Sequence, residues 1–69
     1  MNYERFHDLA RETYGAWGYQ RFLARKHGTS QAIVRRWCYG QASIPEAVIQ
    51  ALLDDAAAKI GHVAKLVRG

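Results

Sequence analysis

Apolar residues recur along the 69-residue chain at three- and four-residue steps, the period of helices with one buried face. Tyr3, Phe6, Leu9, Ala10 and Tyr14 form the first set, with Glu4, Arg5, Asp8, Arg11 and Glu12 between them. This predicts a helix over residues 3–14, opened by Asn2, whose short polar side chain suits an N-cap. Glu4 and Asp8 are spaced to pair with Arg11 or Arg5 on the wet side. Gly15 and Gly18 bracket Ala16 and Trp17 as a turn, and Trp17 is expected to close over the core. Tyr19, Phe22 and Leu23 predict a second helix ending at His27, with Arg21, Arg25 and Lys26 on its wet side.

The next elements are tied by steric need. Two helices crossing at roughly 90–120° through a short turn require a small side chain where their backbones come closest. They also require a residue that enters the left-handed region without cost. Ala24 and Gly28 meet the two requirements. Thr29 or Ser30 then caps a third helix running to about residue 39, with Val34 and Trp37 facing inward and Gln31, Ala32, Arg35 and Arg36 outward. Ile33 falls at the edge of that face. This spacing is that of a helix-turn-helix over residues 19–39.

After a loop at residues 40–43, Pro45 suits the first turn of a fourth helix. Val48, Ile49, Leu52 and Leu53 are expected to pack back on the first three helices. Leu53, Ala56, Ile60, Val63 and Val67 continue as a seam that a second helix could fill. Gly61 costs about 1 kcal/mol inside a helix, so a break near residue 59 is expected, giving four or five helices. The apolar supply exceeds what one small core needs. Its simplest use is a dimer contact through Leu53, Ala56, Ile60, Val63 and Val67; the competing use is to complete the monomer core.

Composition narrows the class. A content of 49% hydrophobic residues with one proline favours a folded chain over disorder. The expected fold is all-α, one compact domain over residues 1–69, with residues 45–68 completing the core. A chain this short buries only about 60% of its unfolded surface and gains from pairing with a second copy. The single cysteine, Cys38, cannot form an internal disulfide. There is no apolar run of about 20 residues, and the N-terminus lacks the order of a signal peptide. A soluble, cytoplasmic protein with no membrane contact is expected.

The net charge of +4 is less telling than its placement. Residues 13–45 contain no Asp or Glu, but hold Arg21, Arg25, Lys26, Arg35 and Arg36. Such a single-sign field over the helix-turn-helix suits a polyanion. In that motif the second helix enters the major groove. Glutamine can pair bidentately with adenine, arginine with guanine, and an alanine methyl can touch that of thymine. Gln31, Ala32, Arg35 and Arg36 are therefore the candidate base readers. Gln20, Arg21, Ser30, Tyr39, Gln41 and Ser43 form the rim from which phosphates would be held.

Other chemistries lack support. His7, His27, His62 and Cys38 do not share metal-ligand spacing. Asp54 and Asp55 are adjacent, diverge on a helix and read as a solvated face. No nucleophile elbow or phosphate loop is present. Tyr3, Tyr14, Trp17, Tyr19 and Phe22 read as core rather than as stacking platforms for single strands. No catalysis, cofactor, metal or small-molecule ligand is expected.

Residues 19–45 resemble the Cro/C1-type, lambda-repressor-like regulators of phages and mobile elements. Tyr19-Gln20, Leu23-Ala24, Gly28, Ser30, Val34, Trp37 and Gly40 stand at the family's pattern positions, and YGQASIP resembles its loop-then-proline exit. His27 and Thr29 depart from it, replacing an apolar residue and a valine. The resemblance implies that Gln20 braces Gln31, as in lambdoid relatives. It also implies a small autorepressor, similar in size to those encoded beside anti-CRISPR genes. The expected function is a homodimeric regulator binding an inverted-repeat operator in double-stranded DNA. The alternative is a helical interaction module that sets its basic face on an acidic protein.

Overall fold

Four helices carry the chain: α1 (Tyr3–Tyr14), α2 (Tyr19–Lys26), α3 (Gln31–Cys38) and α4 (Glu46–Arg68). This computed structural model describes the backbone of residues 1–68 and the side chains of residues 1–59. The fold is all-α, with no strand among the described residues. α1 is central, packing against each of the other three helices, while α2 and α3 pack on one another.

Each start and stop has a local cause. Asn2 Oδ1 accepts the Arg5 N–H at 2.8 Å, satisfying a donor that the first turn of α1 leaves unpaired. Ser30 does the same for α3, its Oγ accepting the Ile33 N–H at 3.2 Å. α2 stops at Gly28, whose φ is +64°. There the Thr29 N–H donates to the Ala24 carbonyl at 2.9 Å and the Gly28 N–H to Arg25 at 3.4 Å, the paired bonds of a Schellman cap. α3 ends in the same way at Gly40, with φ +73° and the Gln41 N–H donating to Arg36 at 2.8 Å. Gly40 meets a second constraint: a Cβ there would stand 2.7 Å from the Tyr3 ring.

The core gathers Phe6 and Ala10 from α1, Tyr19, Leu23 and Ala24 from α2, Val34, Trp37 and Cys38 from α3, and Val48 and Leu52 from α4. Leu9, Tyr14, Ala42 and Ile44 pack half-buried around it. Truncating a fully buried residue such as Leu23 or Leu52 costs about 2–5 kcal/mol. Cys38 is only 1% exposed, and burial pushes its thiol up to about 11, so it stays neutral.

Several elements differ from the pattern-based expectation. Trp17 is 95% exposed; positive φ at Gly15 and Gly18 turns the loop outward, and the core closes without it. Phe22 is 45% exposed, lying against the Tyr14 ring with centroids 4.6 Å apart. Tyr3 is also partly exposed, so of the five aromatics assigned to the core only Tyr19 is fully inside and Tyr14 half so. Pro45 precedes α4 as its cap, its carbonyl accepting the Val48 and Ile49 N–H groups at 3.0 and 3.2 Å.

α4 itself does not break near residue 59 but continues through Gly61 for 23 residues. Helix formers flank that glycine (Ala56, Ala57, Ala58, Ala64), and one glycine's cost is spread over a long run of backbone bonds. Val48 and Leu52 enter the core, Ile49 is half-buried, and Leu53 is 40% exposed. Leu53 and half-buried Ala56 begin the expected dimer seam; the side chains of Ile60, Val63 and Val67 lie outside the described residues.

Asp55 is no solvated bystander. Its Oδ2 accepts the Tyr14 hydroxyl at 2.5 Å and the Lys26 ammonium at 3.1 Å, linking α1, α2 and α4. Those two bonds, the Tyr14 one first, hold the Asp55 carboxyl below its ordinary range. Burial and then Asp55 push the Tyr14 phenol upward. Asp54 remains exposed, taking the Gln50 amide at 3.2 Å. Lys26–Asp55 is the one ion pair among the described residues, so Glu4 and Asp8 do not pair with Arg5 or Arg11. On an exposed helix face such pairs yield only a few tenths of a kcal/mol. Lys59 Nζ instead donates to the Glu12 carbonyl at 2.6 Å, tying α4 to the end of α1.

Two predictions come from the turns. Gly28→Ala meets open space and should cost about 1 kcal/mol for the left-handed conformation alone. Gly40→Ala adds the collision with Tyr3 and should cost about 2–3 kcal/mol. Urea unfolding measures both, and Tyr3→Ala should narrow the gap between them.

The second concerns His27, which burial and then Lys26 hold below the ordinary 6.5; its buried Nε2 has no hydrogen-bond partner. As pH falls below about 6.5 the unfolded chain takes up a proton before the folded one does. Stability should therefore decline from that pH down through the folded pKa, then level off. His27→Gln should flatten the decline in urea midpoints between pH 7.5 and 5.5, and an unchanged slope would refute the assignment.

Candidate functional site

The buried face of α3 determines its exposed one. Val34, Trp37 and Cys38 point inward, so at 100° per residue Ala32 and Arg36 stand directly opposite the core. Gln31 and Arg35 lie to one side of them, and Ile33, 41% exposed, to the other. All four candidate base readers are exposed. They form two rows four residues apart, Gln31 with Arg35 and Ala32 with Arg36, so neighbouring tips lie on one surface. Arg35 and Arg36 also fall in the last turn of α3, where cations offset the helix dipole by about 0.3–1 kcal/mol. Their charges therefore have a structural use beside any binding one.

Of the rim candidates, Gln20 and Arg21 lie in the first turn of α2, Ser30 and Tyr39 stand at the two ends of α3, and Gln41 and Ser43 follow in the loop after it. Arg21, Ser30, Tyr39, Gln41 and Ser43 are exposed and Gln20 is half-buried. α2 begins at Gly18 with no side-chain cap, which leaves amide donors of its first turn open. Ser30 already spends one lone pair on the cap of α3 and keeps the other.

Gln20 does not brace Gln31. Its Nε2 donates at 3.2 Å to the hydroxyl of Tyr19, which also bonds His7 Nε2 at 2.5 Å. A polar anchor next door, on the same turn of α2, competes successfully for the amide. The His7 ring in turn meets Tyr39 edge-on, with centroids 5.5 Å apart. Burial foremost holds the Tyr19 phenol above its ordinary pKa, so the hydroxyl keeps its proton. Through His7 and Tyr19, two rim residues far apart in sequence, Gln20 and Tyr39, share one anchor. His7 was not a sequence candidate; its only signal was a polar residue one step off the apolar stripe of α1.

The electrostatics are sharper than the sequence implied. Of the five bases in the acid-free window, Lys26 is tied to Asp55, a residue distant in sequence. Arg21, Arg25, Arg35 and Arg36 are exposed and have no ion pair among the described residues. The uncompensated field is thus an arginine field, and arginine's planar fork suits phosphate and guanine better than a lysine point charge does. Among the described residues, no group of three His, Cys, Asp or Glu is placed to hold a metal ion. No helix among them is long and apolar enough to cross a membrane.

No protein-family profile, curated protein or solved structure matches the chain. The arrangement itself must carry the functional argument.

Asp55→Asn gives a signature with two opposite signs. It frees Lys26 and removes a negative charge, so the salt needed to elute the protein from heparin should rise. It also weakens the bonds to Tyr14 and Lys26, so unfolding free energy should fall by about 1 kcal/mol.

Proposed function

We propose that this chain is a sequence-specific, double-stranded DNA-binding transcriptional regulator of the Cro/C1 type, acting as a homodimeric repressor in the cytoplasm. The observation that carries the reading is the outward face of α3, which combines Gln31, Ala32, Arg35 and Arg36 with no acid nearby in sequence. A helix presented this way fits the major groove, where those side chains meet base edges. Arg21, Ser30, Tyr39, Gln41 and Ser43, with Gln20 and the open amides of α2, then hold the flanking phosphates and set the register. The resemblance of residues 19–45 to the Cro/C1-type regulators supports the same conclusion. A second copy, meeting the first along the α4 seam that begins at Leu53 and Ala56, places two α3 helices on half-sites about 34 Å apart.

A second reading has one observation in its favour. Trp17 is almost wholly exposed, and tryptophan is the residue type most enriched where proteins grip one another. An interaction module using that side chain and the basic face would bind an acidic protein rather than DNA. On α3, however, Gln31, Ala32, Arg35 and Arg36 are the types of a base reader, and Ile33 is the one large apolar side chain exposed beside them; a protein-binding helix would present aromatics or leucines.

Substitution separates base reading from mere charge. Arg35→Ala and Gln31→Ala should each weaken a cognate duplex by about 1–3 kcal/mol and relax sequence preference. Arg21→Ala should weaken all sequences alike and lower the salt slope by about one. Mobility shifts at two salt concentrations measure all three. Equal losses on random and cognate DNA for Arg35→Ala and Gln31→Ala would overturn the base-reading assignment.

A further inference from the structure

α1 turns Phe6 and Ala10 into the core, and its opposite face carries Arg5, Asp8 and Glu12 in one row. All three are exposed, and none belongs to an ion pair among the described residues. Next to this row runs a groove between α1 and α4, lined by Met1, Leu9 and Leu53 together with the three charged residues. Met1 is 50% exposed and Leu53 40%. The result is an apolar strip with a charged border, the build of an interface centre and its rim.

The order of charges identifies the occupant. Arg5 lies three residues before Asp8, and Glu12 three residues after Leu9, so the two are equally far from the Asp8–Leu9 midpoint. Seven residues separate them, about 10 Å along the axis, too far for a pair within α1. Two identical helices laid antiparallel about a two-fold axis at that midpoint bring each Arg5 against the Glu12 of the other copy. Laid parallel, they would oppose like charges at all three positions, whereas the antiparallel arrangement opposes them only at Asp8, beside the axis. Moving the axis toward the C-terminus would set Asp8 against Glu12, and moving it toward the N-terminus would take Leu9 out of the centre.

We propose that two copies of this chain meet through the α1–α4 groove, α1 against α1 in antiparallel sense. Leu9 and Leu53 lie at the centre and two Arg5–Glu12 pairs cross the interface. The apolar centre supplies the attraction; the exposed pairs contribute little energy but fix the register. This extends the α4 contact of the preceding reading through Leu53, and it rests on the dimer half of that reading.

The test is a charge exchange between copies, read by sedimentation equilibrium. Arg5→Glu alone and Glu12→Arg alone each set two like-charge contacts across the interface and should weaken self-association about tenfold. Mixed in equal amounts, the two variants restore opposite charges at both contacts, so the mixture should associate as tightly as the unsubstituted protein. The double variant should do so by itself. Circular dichroism checks that these exposed substitutions leave the helices intact.

Singles that associate normally, or a mixture that is not rescued, would overturn the α1 contact and leave the DNA-binding reading untouched. Rescue of Arg5→Glu by Asp8→Arg but not by Glu12→Arg would overturn the register. A native chain that stays monomeric at the concentrations where it binds DNA would overturn both this contact and the dimer half of the functional reading.

Discussion

Everything in this small fold depends on the burial of one face of α3. Val34, Trp37 and Cys38 disappear beneath α1 and α2, and an eight-residue helix is too short to persist without such packing. Once those three side chains are fixed, no freedom remains about which residues point away. Gln31, Ala32, Arg35 and Arg36 face solvent because their neighbours do not. The two Schellman caps set where the helix begins and ends relative to its partners, and Gly40 does so with the Tyr3 ring pressed against it.

Magnitudes place the stabilising effects in order. The ten core residues among those described dominate, since each large one removed would cost several kcal/mol. Polar ties are fewer but far-reaching: Asp55 joins α1, α2 and α4 at one oxygen, and Tyr19 joins Gln20 and His7 at another. In a partly exposed setting such bonds are worth about 1 kcal/mol each. Their larger effect is positional. They commit Lys26 and orient Gln20, leaving the four arginines of residues 13–45 without an ion pair among the described residues.

Much of this was legible in the sequence, because local causes decide it. The bounds of α1, its Asn2 cap, the Gly28 turn and a cap for α3 at Thr29 or Ser30 follow from residues within four positions of each other. The outward face of α3 follows from its period. What escaped the sequence depends on contacts distant along the chain or on competition between partners. Tyr14 and Asp55 are 41 residues apart, so the tie that takes Lys26 out of the basic field left no local trace. Gln20 had two available partners, and the nearer hydroxyl won. Trp17 looked like core because tryptophan usually is, yet two left-handed glycines aim its loop outward. Gly61 suggested a helix end, but its modest penalty is outweighed by the alanines around it.

The central claim is that α3 presents a face for reading base edges. The most direct measurement is a mobility shift on the DNA upstream of the gene encoding this chain, with excess random competitor, at low and physiological salt. The account predicts a complex that survives competitor and whose footprint centres on an inverted repeat with half-sites about one helical turn apart. A complex that competitor abolishes, and that salt dissolves in step with the phosphate contacts alone, would contradict it.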